Sequence, residues 1–148
     1  MKIEVLAEAT DEAVRAFARL LPQLSSSAPR LDARSLGEVL AYESNTVLVA
    51  RVDGEIVGAL TLVTFPTPTG VRAWIEDVVV DGEARGGGVG AALTTEAVRI
   101  ARAAGARTVD LTSRPAREAA NRLYVRLGFV LRDSRVYRLT TEFIAEPR

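Results

Sequence analysis

Residues 74–93 read WIEDVVVDGEARGGGVGAAL, and the reading of its glycines decides the fold. An apolar run, WIEDVVV (74–80), is followed by Gly86, Gly87 and Gly88, with Gly90 close behind, where an amphipathic helix begins. Glycine in a helix costs roughly 1 kcal/mol relative to alanine, so something should offset opening a helix this way. The first helical turn exposes backbone N–H groups and the positive end of the macrodipole, and missing Cβ atoms let an anion approach that backbone. A phosphate is the expected ligand. A flexible linker is the plainer alternative, but linkers seldom run straight from an apolar strand into an amphipathic helix.

Working outward, the helix runs from Gly88 to Ala104, with Val89, Leu93, Ala97, Ile100 and Ala104 on one face and Gly105 just past its end. TVDLTS (108–113) reads as the next strand. A further helix starts near Pro115, a position proline tolerates, and carries Ala120, Leu123 and Leu127 as its buried stripe until Gly128. GFVLR and RVYRLT supply two last strands around a turn at 132–134. Upstream, KIEVLA (2–7) is a first strand. Thr10 caps a helix whose Val14, Phe17, Leu20, Leu21 and Leu24 recur at helical spacing, and Asp32 caps a shorter helix with Leu36, Val39 and Leu40. TVLVARVDGEIVGALTLVTF (46–65) is a hairpin about Asp53-Gly54, and FPTPTG (65–70) a loop into the strand at 73–80. The expected order is β-α-α-β-β-β-α-β-α-β-β: one mixed α/β domain spanning 1–148, with a mostly antiparallel central sheet, one βαβ crossover carrying the glycine loop, and a closing hairpin.

Composition narrows the chemistry. The 148 residues suit a single domain, and no apolar run approaches the roughly 18 residues of a membrane span. The acidic opening, MKIEVLAEATDEA, lacks the apolar core of a signal peptide, so the expected location is cytoplasmic. With no cysteine and no histidine, thiolate nucleophiles, disulfides, histidine-activated nucleophiles and the usual transition-metal ligands are excluded; no metal site is expected. The net charge of zero argues against a dedicated nucleic-acid binder. It conceals a division: residues 1–84 hold 13 acids against 7 bases, and residues 85–148 hold 6 acids against 12 bases. A basic half suits a polyanionic ligand and an acidic half a cationic one, unless the charges merely decorate solvated faces.

Three phosphate loops compete for the glycine stretch. A P-loop needs Gly-Lys-Ser/Thr at its end, and here Ala91 and Ala92 follow Gly90. The dinucleotide fingerprint G-x-G-x-x-A fits Gly86, Gly88 and Ala91, with Asp110 beyond, but DGEAR (81–85) separates it from its strand and the chain is too short for two mononucleotide-binding halves. The third pattern, Arg/Gln-x-x-Gly-x-Gly/Ala, is met by Arg85, Gly88 and Gly90. On this segment, and on REAANRLYVRLGF (117–129), which matches an Asn-x-x-Leu/Ala-Tyr helix ending in Gly-Phe, the sequence resembles the GNAT superfamily of acetyl-CoA-dependent N-acetyltransferases over nearly the whole chain.

The resemblance implies a fold in the order above and a site built residue by residue. Backbone N–H groups of Gly86, Gly88, Val89, Gly90 and Ala91 would cradle the pyrophosphate of acetyl-CoA, with Arg85 as a charge-assisted donor. Val78 and Val80 would offer main-chain groups to the pantetheine arm, and Asn121 would hydrogen-bond the arm as it leaves, unless it is simply a solvated helix residue. Tyr124, three residues after Asn121, would protonate or hydrogen-bond the departing thiolate; packing is its plainer role. Glu76 is the candidate base, the IED run at 75–77 resembling that of amino-sugar-phosphate members, while strand alternation sends Asp77 to the opposite face. Both acids could instead merely edge a strand.

With no cysteine, direct attack of the amine in a ternary complex is expected. A lysine-like amine of pKa about 10.4 must shed its proton at pH 7, a cost of about 4.6 kcal/mol, against about 1.4 kcal/mol for an α-amine near 8. The acceptor is a primary amine of a small molecule or peptide, with no nucleic-acid or membrane partner. The loop at 24–31, the segment 65–70 and the turn near Asp133 are the expected acceptor-side elements, and Trp74, Tyr42 and Tyr137 are pocket candidates that fit the core equally well. A homodimer through exposed strands or the last hairpin is compatible with this architecture. The competing readings are an acetyl-CoA-binding regulatory module without turnover, a protein N-terminal or lysine acetyltransferase, and a nicotinamide-dependent enzyme.

Overall fold

The structure is a computed structural model that describes residues 1–141. Its elements run β1 Lys2–Val5, α1 Asp11–Leu24, α2 Ala33–Ala41, β2 Asn45–Val52, β3 Glu55–Thr67, β4 Gly70–Val80, a 3-10 turn Gly82–Ala84, α3 Val89–Ala103, β5 Val109–Asp110 and α4 Glu118–Arg126. The five strands form one sheet in the order β1-β2-β3-β4-β5, antiparallel except for the β4–β5 pair, which is parallel and closes the crossover through α3.

Local chemistry accounts for the element ends. Thr10 Oγ1 accepts from the Ala13 N–H at 3.1 Å, and Asp32 and Ser35 form a reciprocal capping box. Asp53 and Gly54 both take positive φ, 51° and 81°, as a two-residue hairpin turn matched to strand twist requires. Two apolar layers sandwich the sheet. Ala13, Ala16, Phe17, Leu20 and Leu36 from α1 and α2 pack on Val47, Val49, Ile56, Ala59 and Val79. Val89, Leu93, Ala97 and Ala101 of α3 pack on Leu48, Ala50, Leu60, Leu62, Ala73 and Ile75. The contact is close at Gly58, where an added Cβ would sit 2.9 Å from Val89 Cγ1 and 3.2 Å from the Val79 carbonyl oxygen.

Several expectations need correction. β1 ends at Val5 and β5 covers only Val109–Asp110. The proline-glycine stretch is mostly strand: Pro66 pairs with Val71 and Thr67 with Gly70, so the turn is confined to residues 68–69. α4 begins at Glu118 because residues 114–117 form a turn, held by the Arg117 N–H on the Arg114 carbonyl. Leu127, expected in its buried stripe, caps the helix and is 37 % exposed, while Tyr124 is the residue α4 buries. The closing hairpin is not formed among the described residues: no strand follows α4, and residues 130–141 are exposed throughout. No helix among the described residues is long and apolar enough to cross a membrane.

Candidate active site

The cleft originates in a mismatch on β4. Ala59 pairs with Val79 but Thr61 pairs with Glu76, so β4 has one residue more than β3 over this interval. That bulge sits at Glu76–Val78, with Asp77 in the left-handed region at φ 50°. Strand alternation therefore stops there. Ala73 and Ile75 face α3 before the bulge, and Val78 and Val80 face it afterwards. On the other side, β5 pairs with β4 only at Ala73↔Val109 and Trp74↔Asp110. Beyond those pairs the two parallel strands are no longer paired, which leaves an edge of β4 over residues 75–80 without a strand partner among the described residues.

The glycine loop closes one end of this opening. Its root is fixed by α1: Arg19 Nε donates to Asp81 Oδ2 at 3.2 Å, and the Gly82 N–H donates to Gln23 Oε1 at 2.9 Å. The tip is open. Gly86 and Gly88 have φ of 84° and 82°, and a Cβ on either would meet nothing within 4 Å. Gly88 is the N-cap of α3 and offers no capping side chain, and Ala92 is the first residue to donate back, to the Gly88 carbonyl. From Arg85 to Ala91, no backbone N–H donates to another described residue. Seven consecutive donors at a helix N-terminus form a ready anion cradle. The exposed Arg85 makes no ion pair among the described residues.

At Gly90 three elements converge: a Cβ there would lie 3.4 Å from Leu123 Cδ2 of α4 and 3.9 Å from Val80 Cγ2 of β4. Tyr124, next to Leu123, is 7 % exposed and stacks edge-on against Phe129 with ring centroids 5.8 Å apart. Its hydroxyl has no hydrogen-bond partner among the described residues, and burial raises the phenol's pKa, partly opposed by Arg117. Glu76 also titrates upward, through burial and the adjacent Asp77 carboxylate, with Arg138 pulling the other way. The Asn121 side-chain amide donates to the Arg114 carbonyl at 3.0 Å, so its N–H group ties the 114–117 turn to α4 and only its Oδ1 is uncommitted.

The structure thus brings Arg85, Gly86, Gly88, Val89, Gly90 and Ala91 together at one loop–helix junction, with Val78 and Val80 alongside and Asn121 and Tyr124 on the neighbouring helix. Trp74 is half-buried at the last β4–β5 pair, whereas Tyr42 and Tyr137 are 67 % and 87 % exposed and line no core. Two features escaped the sequence reading. Arg19 and Gln23 anchor the loop from a helix some 60 positions upstream, and no local spacing announces such pairs. Ser113 follows β5, and its buried Oγ has no hydrogen-bond partner among the described residues. Among the described residues, no group of His, Cys, Asp or Glu could hold a metal ion.

A family profile described as the acetyltransferase (GNAT) family matches residues 8–129. The chain belongs to the GNAT acetyltransferase family. No curated protein matches it. Solved structures of similar fold include an acetyltransferase of Trypanosoma brucei (31% identity, TM-score 0.75, 94% of this chain and 98% of that one). A ribosomal-protein-alanine N-acetyltransferase of Brucella melitensis is 25% identical (TM-score 0.76, 95% and 99%). An Agrobacterium tumefaciens protein described as an acetyltransferase superimposes at TM-score 0.82, with 24% identity over 95% and 100% of the two chains. This GNAT chain is accordingly an acyltransferase whose family uses acetyl-CoA, and the β4 bulge, glycine loop and α4 tyrosine all lie inside the matched region.

Proposed function

We propose that this GNAT protein moves an acetyl group from acetyl-CoA to a primary amine of a small molecule or peptide, by direct attack in a ternary complex. The observation that carries the reading is the run of seven backbone donors from Arg85 to Ala91 that are unpaired among the described residues, beside a β4 edge that has no strand partner among them. The donors suit a diphosphate, with Arg85 adding charge at its rim; the β4 edge at Val78 and Val80 suits an amide-bearing arm; the Asn121 oxygen can accept from that arm as it passes α4.

In the reaction the amine lone pair attacks the thioester carbonyl carbon, the carbon–sulfur bond breaks, and sulfur leaves as thiolate or thiol. Glu76, its pKa raised, takes the amine proton directly or through water. Tyr124, its phenol kept protonated by burial, donates to the sulfur. A peptide or protein α-amine is a specific variant of the acceptor, favoured by the likeness to a ribosomal-protein-alanine N-acetyltransferase and by the smaller deprotonation cost of an α-amine. The reaction belongs in the cytoplasm, where acetyl-CoA is present.

The test is free-thiol release from acetyl-CoA across a panel of polyamines, amino acids, amino sugars and short peptides, run alongside thermal shift with CoA and with NAD. Stabilisation by CoA and thiol release with at least one amine class are expected. Stabilisation without turnover on any amine would favour a regulatory acetyl-CoA binder. No CoA response, or a response to NAD alone, would overturn the proposal.

A further inference from the structure

A molecule of acetyl-CoA held as above is held only in part. The loop from Arg85 to Ala91 suits its diphosphate and the β4 edge its amide-bearing arm, but past the diphosphate stands an adenosine whose ribose carries a third phosphate at the 3′ position. A phosphate monoester adds roughly −1.5 to −2 charge at pH 7. It hangs from the same ribose as the diphosphate, so whatever binds it must stand within a sugar's length of the cradle. Given the acetyl-CoA reading, on which this inference rests, the chain offers few such places.

α4 supplies one. Leu123 reaches the loop, its Cδ2 lying 3.4 Å from where a Cβ on Gly90 would stand. Beside Leu123 in the chain, an open groove of about 450 Å³ is lined by Asn121, Arg122, Val125 and Arg126. Asn121 is the residue proposed above to meet the arm. Arg122 and Arg126, one helical turn apart, are exposed and form no ion pair with a described residue; Glu118, the one carboxylate on α4, leaves both guanidinium groups unpaired. Val125 lies on the same face and is 69 % exposed. An apolar floor flanked by two uncommitted guanidinium groups suits a purine with a phosphate at its side: the planar forks donate to phosphate oxygens, and their aliphatic stems widen the surface on which the ring rests.

The cations of α3 are placed less well. Arg99 spends its guanidinium on Glu96, donating through Nε to Oε2 at 3.0 Å. Arg102 lies roughly 18 Å along the helix from Gly90, at 1.5 Å per residue. These two arginines and Leu127 line a separate groove of about 340 Å³.

We propose that Arg122 and Arg126 form the site for the 3′-phosphoadenosine end of CoA, so that this chain reads the third phosphate and prefers thioester donors that carry it. Neither arginine occupies a fixed position of the two family motifs, so the preference belongs to this chain rather than to the shared scaffold. A carrier protein that presents the same arm without a nucleotide lacks this contact and is disfavoured as a donor.

Titration calorimetry with CoA and with 3′-dephospho-CoA reads the site without any acceptor amine. The wild type should bind CoA at least about tenfold more tightly than the dephospho form, the size expected of hydrogen bonds to a charged group. The double variant Arg122→Ala/Arg126→Ala should bring the two affinities to near-equality while leaving that for dephospho-CoA unchanged, and its far-ultraviolet spectrum should match the wild type because both side chains are exposed. Arg102→Ala, which removes a positive charge from α3 instead, should keep the preference. Equal affinities in the wild type, a preference that survives the double variant, or one that Arg102→Ala abolishes as fully would each overturn the site. A wild type that binds neither form would overturn the acetyl-CoA reading itself and this site with it, so the two failures are told apart by whether dephospho-CoA binds.

Discussion

Desolvation raises the pKa of both Tyr124 and Glu76. Burial holds the Tyr124 phenol above its usual pKa of 10.0, so it stays protonated across the working range and can give a proton to a thiolate. Tyr124→Phe should lower turnover at least tenfold and leave acetyl-CoA affinity almost intact, as general-acid assistance is typically worth 10²-fold or more; unchanged turnover would reject the acid role. Glu76 behaves oppositely in its cost. A carboxyl whose folded pKa lies above its unfolded 4.5 is destabilising once ionised, so Glu76→Gln should raise Tm at pH 7, the gain vanishing below pH 4.5 where both states are protonated. Activity should fall in the same variant, and the wild-type rate should decline on the acid side at a pH above 4.5. A lower Tm at pH 7 would contradict this account. Ser113 is a third case: an unpartnered buried hydroxyl is costly, so Ser113→Ala should leave the unliganded Tm unchanged or higher while shrinking the shift produced by CoA. An undiminished CoA shift would make Ser113 a bystander.

At the scale of elements, the glycine loop and the start of α3 act as one unit. Gly88 holds a left-handed backbone that L side chains adopt at a cost of roughly 1–2 kcal/mol, whereas Gly87 has ordinary φ and a Cβ there would meet only the Ala84 carbonyl, at 3.4 Å. Gly88→Ala should therefore destabilise by about that amount and weaken CoA binding, with Gly87→Ala much milder on both counts, as read by chemical denaturation and titration calorimetry. Equal effects would mean that the left-handed geometry is not what matters. This junction was legible from Arg85, Gly88 and Gly90 because it is local: strand, loop and helix are contiguous, and each residue's role follows from its own backbone. The β4 bulge was not legible. It exists only as a count of β4 against β3, which alternation along β4 alone does not announce. The extent of α4 was equally hidden, since Asn121 folds back on Arg114 and keeps Pro115 in a turn.

Across the whole molecule, Arg51 joins parts that are distant in sequence. From β2 it reaches Glu4 on β1 at 2.6 Å, Glu12 on α1 at 2.8 Å, and the Gly54 carbonyl in the hairpin turn at 3.0 Å. Hydrogen bonds from Arg51 hold the Glu4 and Glu12 carboxyls below their usual pKa of 4.5. Depressed carboxylates stabilise the fold above the ordinary carboxylate range, and that contribution is lost as pH falls through their lowered values. Arg51→Ala should lower Tm at pH 7 and flatten the acid limb of the stability–pH curve; an unaltered limb would remove Arg51 from the account.

Local pattern by itself determined the element order as far as α4, the caps at Thr10 and Asp32, the Asp53-Gly54 turn, the anion loop and the family resemblance, because hydrophobic period, capping and turn chemistry act over a few neighbouring residues. Tertiary structure alone decided the bulge, the separation of β4 from β5, the anchoring of the loop by Arg19 and Gln23, and the lone hydroxyl of Ser113, since each depends on which distant segments meet. The two strands expected after α4, which do not form among the described residues, show the boundary most clearly. Their alternation is readable in GFVLR and RVYRLT, but a strand is completed by the edge it pairs with, and that edge is not written in its own residues.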